Sequence, residues 1–173
     1  MRVRCWILTA ILLVGVTATA RAQGAVPWQV VSRPLEAACV MKASEGFGVP
    51  LAVILGVMVT EGGKVGRYSV NTNGTRDLGP MQINTIWLPK LAQYGITEQM
   101  LLHDGCLNVM TGTWILRGHL AKNPLWDAIG AYHSKTPHLK SKYQWKVWNN
   151  MQSIRNVGAV IDRANSSLRR IDG

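Results

Sequence analysis

The stretch PLAVILGVMVTEGG (residues 50–63) decides the fold of this chain. Pro50 opens a helix, the run from Leu51 to Thr60 is almost wholly apolar, and Gly62 with Gly63 supplies the stop. A helix that is apolar nearly all round is buried on most sides, so this segment reads as the central helix of a packed domain. Glu61 closes it on the stripe of Ile54, Val57 and Met58, at spacings of seven, four and three. Partial desolvation and the negative end of the helix dipole both disfavour an ionised carboxyl there, so both raise its pKa and suit it to general-acid work near neutral pH. The competing reading is a Glu that swings outward to solvent or to Lys64.

Outward from this helix, Ser32 is placed to cap an earlier one that opens near Pro34 and runs through Cys39 to about Ser44, where Gly46 and Gly48 interrupt it. Downstream, residues 68–84 change to short polar segments around Asn73-Gly74, a strong hairpin-turn signal, and predict a two- or three-stranded β-element. Asp104 can cap a helix from about Leu107 to Ala121. Another begins near Pro124 and reaches about Tyr132, and a last covers roughly Leu139 to Met151. The fold class is mainly α (α+β), with one small sheet. Residues 23–148 form the domain, with 23–33 as its lead-in, and 149–173 form a polar C-terminal tail.

At the N-terminus, Arg2 and Arg4 precede an apolar run from Cys5 to Val16 and a small-residue ending at Ala20-Arg21-Ala22. This is the layout of a signal peptide over residues 1–22, and the run is shorter than the roughly 20 residues a spanning helix needs. Cleavage would remove three of the 19 Lys and Arg, leaving 16 against 9 Asp and Glu, a net of +7. An exported basic protein meets anionic cell wall or lipid headgroups rather than nucleic acid, and the arginine-aromatic arrangement of nucleic-acid surfaces is missing. Cleavage also removes Cys5 and leaves Cys39 and Cys106, a pair expected to be bonded in an oxidising compartment; two buried free thiols are the alternative. On the chain-entropy model such a bond contributes roughly 4 kcal/mol.

After the hairpin comes DLGPMQIN (residues 77–84), and later AYHS (residues 131–134). Glu61, then Gly79-Pro80-Met81-Gln82-Ile83-Asn84, then Ala131-Tyr132-His133-Ser134, resemble in order and spacing the lytic transglycosylases of the soluble, goose-type-lysozyme-like superfamily. The resemblance covers roughly Cys39 to Tyr143. It is nearest to the small exported members associated with type IV secretion, conjugation, pilus assembly and type III secretion, which are similar also in a paired Cys near these two helices. Gly-x-Met-Gln-Ile-Asn is moderately specific and Ala-Tyr-x-Ser weak, but with the upstream Glu they form a strong combination.

The resemblance implies a lysozyme-like fold whose small sheet lines a glycan-binding cleft. It implies cleavage of the β-1,4 bond between N-acetylmuramic acid and N-acetylglucosamine, with Glu61 as acid and then base. The muramic 6-hydroxyl, not water, attacks the anomeric carbon and gives a 1,6-anhydro product. No second catalytic carboxylate is needed, whereas an ordinary glycosidase requires one about 5–9.5 Å away. Asp77, the best candidate for that, reads as a turn or strand-start residue. Gln82 and Asn84 alternate with Met81 and Ile83, so on a strand they share a face, which the resemblance directs into the cleft. Met81, Tyr132 and His133 belong to the same substrate-binding set, with the Tyr132 hydroxyl orienting either the Glu or the N-acetyl group. Ser69 and Asn71 fall where the family has small polar sugar contacts, with a one-residue ambiguity between them. Gly62 replaces a frequent Ser and His133 a frequent Asn, which affects the hydrogen bonds behind the acid rather than the acid.

His103, His119 and His138 lack ligand spacing, and residues 71–77 lack the acidic ligands and terminal Glu of a calcium loop, so no metal and no cofactor is expected. Trp87, Trp114, Trp126, Trp145 and Trp148 read mainly as core, with one or two lining the cleft. The expected protein is thus a periplasmic or secreted bacterial lytic transglycosylase, a monomer without a membrane span after signal cleavage. Its partners are peptidoglycan glycan strands and, by analogy, components of a secretion, conjugation or pilus apparatus that needs the wall opened locally. A hydrolytic lysozyme and a non-catalytic wall-binding component are the rivals.

Overall fold

The computed structural model describes residues 32–168, and the side chains of residues 32–157. The expected signal peptide over residues 1–22 and most of the expected lead-in segment lie outside the described residues. Among the described residues, seven α-helices and two short 3-10 turns pack with one three-stranded antiparallel sheet, a mainly α arrangement consistent with an α+β lysozyme-like fold.

Helix α1 (Ala37–Phe47) begins later than the sequence predicts. The reason is non-local: the Arg33 N–H donates to the His103 carbonyl (2.8 Å) and its carbonyl accepts from Gly105 N–H (3.0 Å), which holds the segment before α1 extended. Gly46 stays helical, and the stop is Gly48, in the left-handed conformation at φ 61°. Helix α2 (Leu51–Glu61) follows the expected bounds and ends on Gly62 at φ 63°. Val53, Ile54, Gly56 and Val57 are buried, while Leu51 and Val59 reach the surface. A Cβ at Gly56 would lie 2.5 Å from Met151 Cγ, so the small residue permits the close packing of α2 on the last helix.

Strands β1 (Tyr68–Val70), β2 (Arg76–Leu78) and β3 (Ile83–Asn84) pair in sequence order, with Ser69 opposite Asp77 and Asp77 opposite Asn84. The β1–β2 turn closes through Asn71 N–H to Thr75 O (2.8 Å), with Gly74 at φ 81°, as the Asn73-Gly74 signal requires. Helical turns over 85–94, including α3 (Leu88–Leu91), and α4 (Glu98–His103) fill a region with no clear sequence pattern. Helix α5 (Gly105–Leu120) starts on the Asp104 side chain, which accepts from Leu107 N–H at 2.9 Å. Cys39 of α1 is disulfide-bonded to Cys106 of α5, with Cα atoms 5.3 Å apart.

Helix α6 (Leu125–His133) matches expectation, but α7 (Pro137–Leu168) is far longer than the predicted Leu139–Met151. Contact with α2 continues past residue 148: Asn150 Nδ2 donates to Thr60 Oγ1 (2.9 Å), and Met151 packs on the core. That core joins Ile54 and Val57 of α2, Leu78 and Ile83 of the sheet, Val109 and Leu116 of α5, Ile129 of α6, and Tyr143 and Val147 of α7. Trp145 and Trp148 are exposed on α7 rather than core, and Trp87 lies on the wall of the cleft described next. No described helix is long and apolar enough to cross a membrane.

Candidate active site

Glu61, at the C-terminal end of α2, opens into a cavity of about 410 Å³ walled by the β1–β2 turn, the sheet, Trp87 and the end of α6. The carboxyl is pushed up from 4.5 to about 7, chiefly by burial; the Tyr143 hydrogen bond opposes this, the Asp77 charge adds to it and Lys146 opposes it. The direction agrees with the sequence reading, and at neutral pH both protonation states are populated. The Tyr143 hydroxyl donates to Glu61 Oε1 at 2.5 Å, and its ring stacks on His133 with centroids 4.7 Å apart and planes 4° from parallel. Burial, and then Lys146, hold His133 below its ordinary value, so it is neutral near pH 7.

Asp77 is spent on structure: Oδ2 accepts from Asn71 Nδ2 (2.9 Å) and Oδ1 from Asn84 Nδ2 (2.7 Å). Both amides line the cavity and are held in place by this one carboxylate. Asn84 also accepts from Ile86 N–H through Oδ1, capping the helical turn that carries Trp87.

Gln82 reaches the cavity by a different route from the one the alternation predicts. It precedes β3, with φ 47° in the left-handed region, so Gln82 and Asn84 do not share a strand face. Its Nε2 donates to Gly79 O (2.9 Å) and its Oε1 accepts from Ser69 Oγ (2.7 Å). A non-glycine residue there carries backbone strain, which the two side-chain bonds and the buried turn offset. That turn is fixed from below by Asn108 of α5, which is fully buried. Asn108 accepts from Met81 N–H (2.8 Å) and donates to Leu78 O (2.8 Å) and Leu101 O (2.9 Å).

The cavity therefore gathers Glu61, Asn71, Gln82, Asn84, Tyr132 and His133 of the expected set, but Ser69 and Met81 are not on its wall. Ser69 stands behind Gln82, and Met81 is wholly buried in the core. Tyr132 does not bond Glu61: its hydroxyl donates to Met81 O at 2.9 Å, and burial raises its pKa further. The tyrosine that bonds the acid is Tyr143, which the sequence reading passed over. Its only local signal was its place with Val147 and Met151 on one apolar stripe of α7. Asn108 and Gly63 were also missed as site residues. A Cβ at Gly63 would lie 2.0 Å from Gly79 O, so the segment after Glu61 touches the Gly79–Gln82 turn directly.

Geometrically, the site offers a carboxyl poised to give and regain one proton, facing uncharged amides suited to sugar hydroxyls and N-acetyl groups. The chain is also similar to known proteins. The 29% identical Invasion protein IagB of Salmonella typhimurium aligns over 138 residues, 76% of this chain and 86% of its own. Protein IpgF of Shigella flexneri is 32% identical over 110 residues, 62% of this chain and 72% of its own. The X polypeptide of Escherichia coli is 35% identical over 77 residues, 41% and 46% respectively. The family described as Transglycosylase SLT domain matches residues 38–154, a span that contains Glu61, the Gly79–Asn84 segment and Tyr143, and this chain belongs to it.

Proposed function

We propose that the protein is a peptidoglycan lytic transglycosylase that cuts the β-1,4 bond between N-acetylmuramic acid and N-acetylglucosamine. The observation that carries this reading is the pairing of one half-buried, proton-poised Glu61 with an Asp77 whose two oxygens are already occupied by Asn71 and Asn84. Glu61 gives its proton to the glycosidic oxygen as the bond to the anomeric carbon breaks. The muramic 6-hydroxyl then bonds that carbon and returns its proton to Glu61, closing the 1,6-anhydro ring. Asn71, Gln82 and Asn84 hold the sugars, His133 and Tyr132 complete the wall, and Ser69 and Met81 support Gln82 and the turn from behind. The reaction belongs outside the cytoplasm, in the periplasm or beyond, where a disulfide persists. Use by a secretion or conjugation apparatus that opens the wall locally is part of the same proposal, and a relative of this chain is named as an invasion protein.

Mass spectrometry of soluble products from purified peptidoglycan tests this. Anhydromuropeptides, absent with Glu61→Gln, are expected. Reducing-end muropeptides would instead mean a hydrolytic lysozyme, and binding without products a wall-binding component.

A further inference from the structure

The central cavity does not end at its own walls. At one end it shares Trp87 and Ile115 with a second cavity of about 420 Å³ that is lined by Lys90, Arg117 and Lys122. At the other it shares Glu61 and His133 with a third, of about 180 Å³, lined by Lys142 and Lys146. The three form one path with Glu61 inside it. The carboxylates lining the path are Asp77, in the central cavity, and Glu61, shared between the central and the third cavity.

All five cations are exposed, and none joins an ion pair among the described residues, where the pairs are Arg33–Asp104, Arg76–Glu98 and Lys140–Asp127. Lys90 is held by ring faces instead, its Nζ 4.9 Å from the Trp114 centroid and 6.0 Å from that of Trp87. Lys142 and Lys146 are four apart on α7, a like-charge spacing that disfavours the helix unless an anion bridges it. The path is therefore amide-lined around two carboxylates where bonds are cut, and carries its cations toward both ends.

From this we infer that the two cationic ends bind carboxylates of the peptide stems carried by muramic residues on either side of the scissile bond, so that the cleft selects peptide-bearing glycan strands over strands stripped of peptide. This rests on the glycan-cleaving reading above. The sugars supply no charge of their own beyond the muramic lactyl group. A peptide stem takes up the lactyl carboxyl as an amide and brings carboxylates of its own, for which Lys90, Arg117 and Lys122 at one end and Lys142 and Lys146 at the other are the charge-complementary partners. Opposite charge at both ends also aligns a long strand before the sugars seat.

Binding of the Glu61→Gln protein to peptide-bearing strands, to amidase-stripped strands that keep their lactyl carboxylates, and to an uncharged chitooligosaccharide decides the matter. Peptide-bearing strands are expected to bind about fivefold to tenfold tighter than stripped ones at low salt. That ratio should shrink as salt shortens the screening length, and should fall toward one in K142Q/K146Q and in K90Q/R117Q/K122Q. Equal binding of the two strand types overturns the inference, and if both exceed the chitooligosaccharide the cations read the lactyl group instead. The ratio of wild-type kcat/KM on the two strand types checks the same preference in the unmutated protein. Failure of the wild type to form anhydro products from either strand counts against the reaction, while the binding ratio still decides the selectivity.

Discussion

The Tyr143 hydroxyl donates a 2.5 Å hydrogen bond to Glu61 although 82 residues separate the two in the chain. This bond sets the acid from outside its own helix: burial raises the carboxyl, and Tyr143, by stabilising the ionised form, limits the rise to about 7. The position of Tyr143 on α7 therefore bears directly on the protonation of Glu61.

Tyr143→Phe removes the donor and leaves the burial, so the Glu61 carboxyl should move further up. A hydrogen bond to a charged group contributes about 1.5–3 kcal/mol, which corresponds to a shift of roughly one unit or more. The alkaline limb of kcat/KM, where the acid is lost, is expected to move to higher pH by that amount, with a fall in kcat. A limb that stays near 7 would show that Tyr143 only packs.

Glu61 also links stability to pH. Its folded value of about 7 lies above the ordinary 4.5, so its favourable contribution is fully present below 4.5 and is lost as pH rises through 7. Wild-type stability in urea titrations is expected to decline by about 1–3 kcal/mol from this group between pH 4.5 and 8, after allowance for its partial exposure. Glu61→Gln keeps the acceptor for Tyr143 and removes the charge, so its curve should lack that decline. Parallel curves for the two proteins would contradict the raised value.

Asn108→Ala leaves Met81 N–H and the Leu78 and Leu101 carbonyls without their partner in a dry site. A loss of about 2–4 kcal/mol is expected. Activity should fall even where the protein remains folded, because Gln82 depends on that turn for its left-handed backbone. Full activity in the folded variant would separate the turn from the site.

Replacing Cys39 and Cys106 together by Ala should cost about 2–4 kcal/mol, the bond closing a separation of 67 residues between α1 and α5. Reductant should lower the melting temperature of the wild type toward that of the variant. An unchanged melting temperature would mean that the α1–α5 packing alone holds this edge.

Much of this arrangement follows from short-range chemistry and was readable without coordinates. The bounds of α2 follow from Pro50 and Gly62, the hairpin from Asn73-Gly74, and the start of α5 from Asp104, because turns and caps are satisfied by neighbours in the chain. Glu61 announced itself as a carboxylate closing an apolar stripe. The strand alternation assigned to Gln82 and Asn84 failed because one left-handed residue breaks the period, and that conformation is held by Gly79 in the same turn together with Ser69 on Gln82 and Asn108 on Met81, both from elsewhere in the chain.

What the sequence alone determined is therefore the hairpin, the helices other than α3 and α4, and the place of Glu61 at the end of α2. Only the tertiary structure decided that Tyr143 rather than Tyr132 bonds the acid, that Asp77 is tied to two amides, and that α1 starts at Ala37. The physical reason is that these outcomes rest on hydrogen bonds and burial between residues that are not chain neighbours, six and seven apart for Asp77 and 82 apart for Tyr143 and Glu61, and local periodicity holds no information about which partner will fill a site.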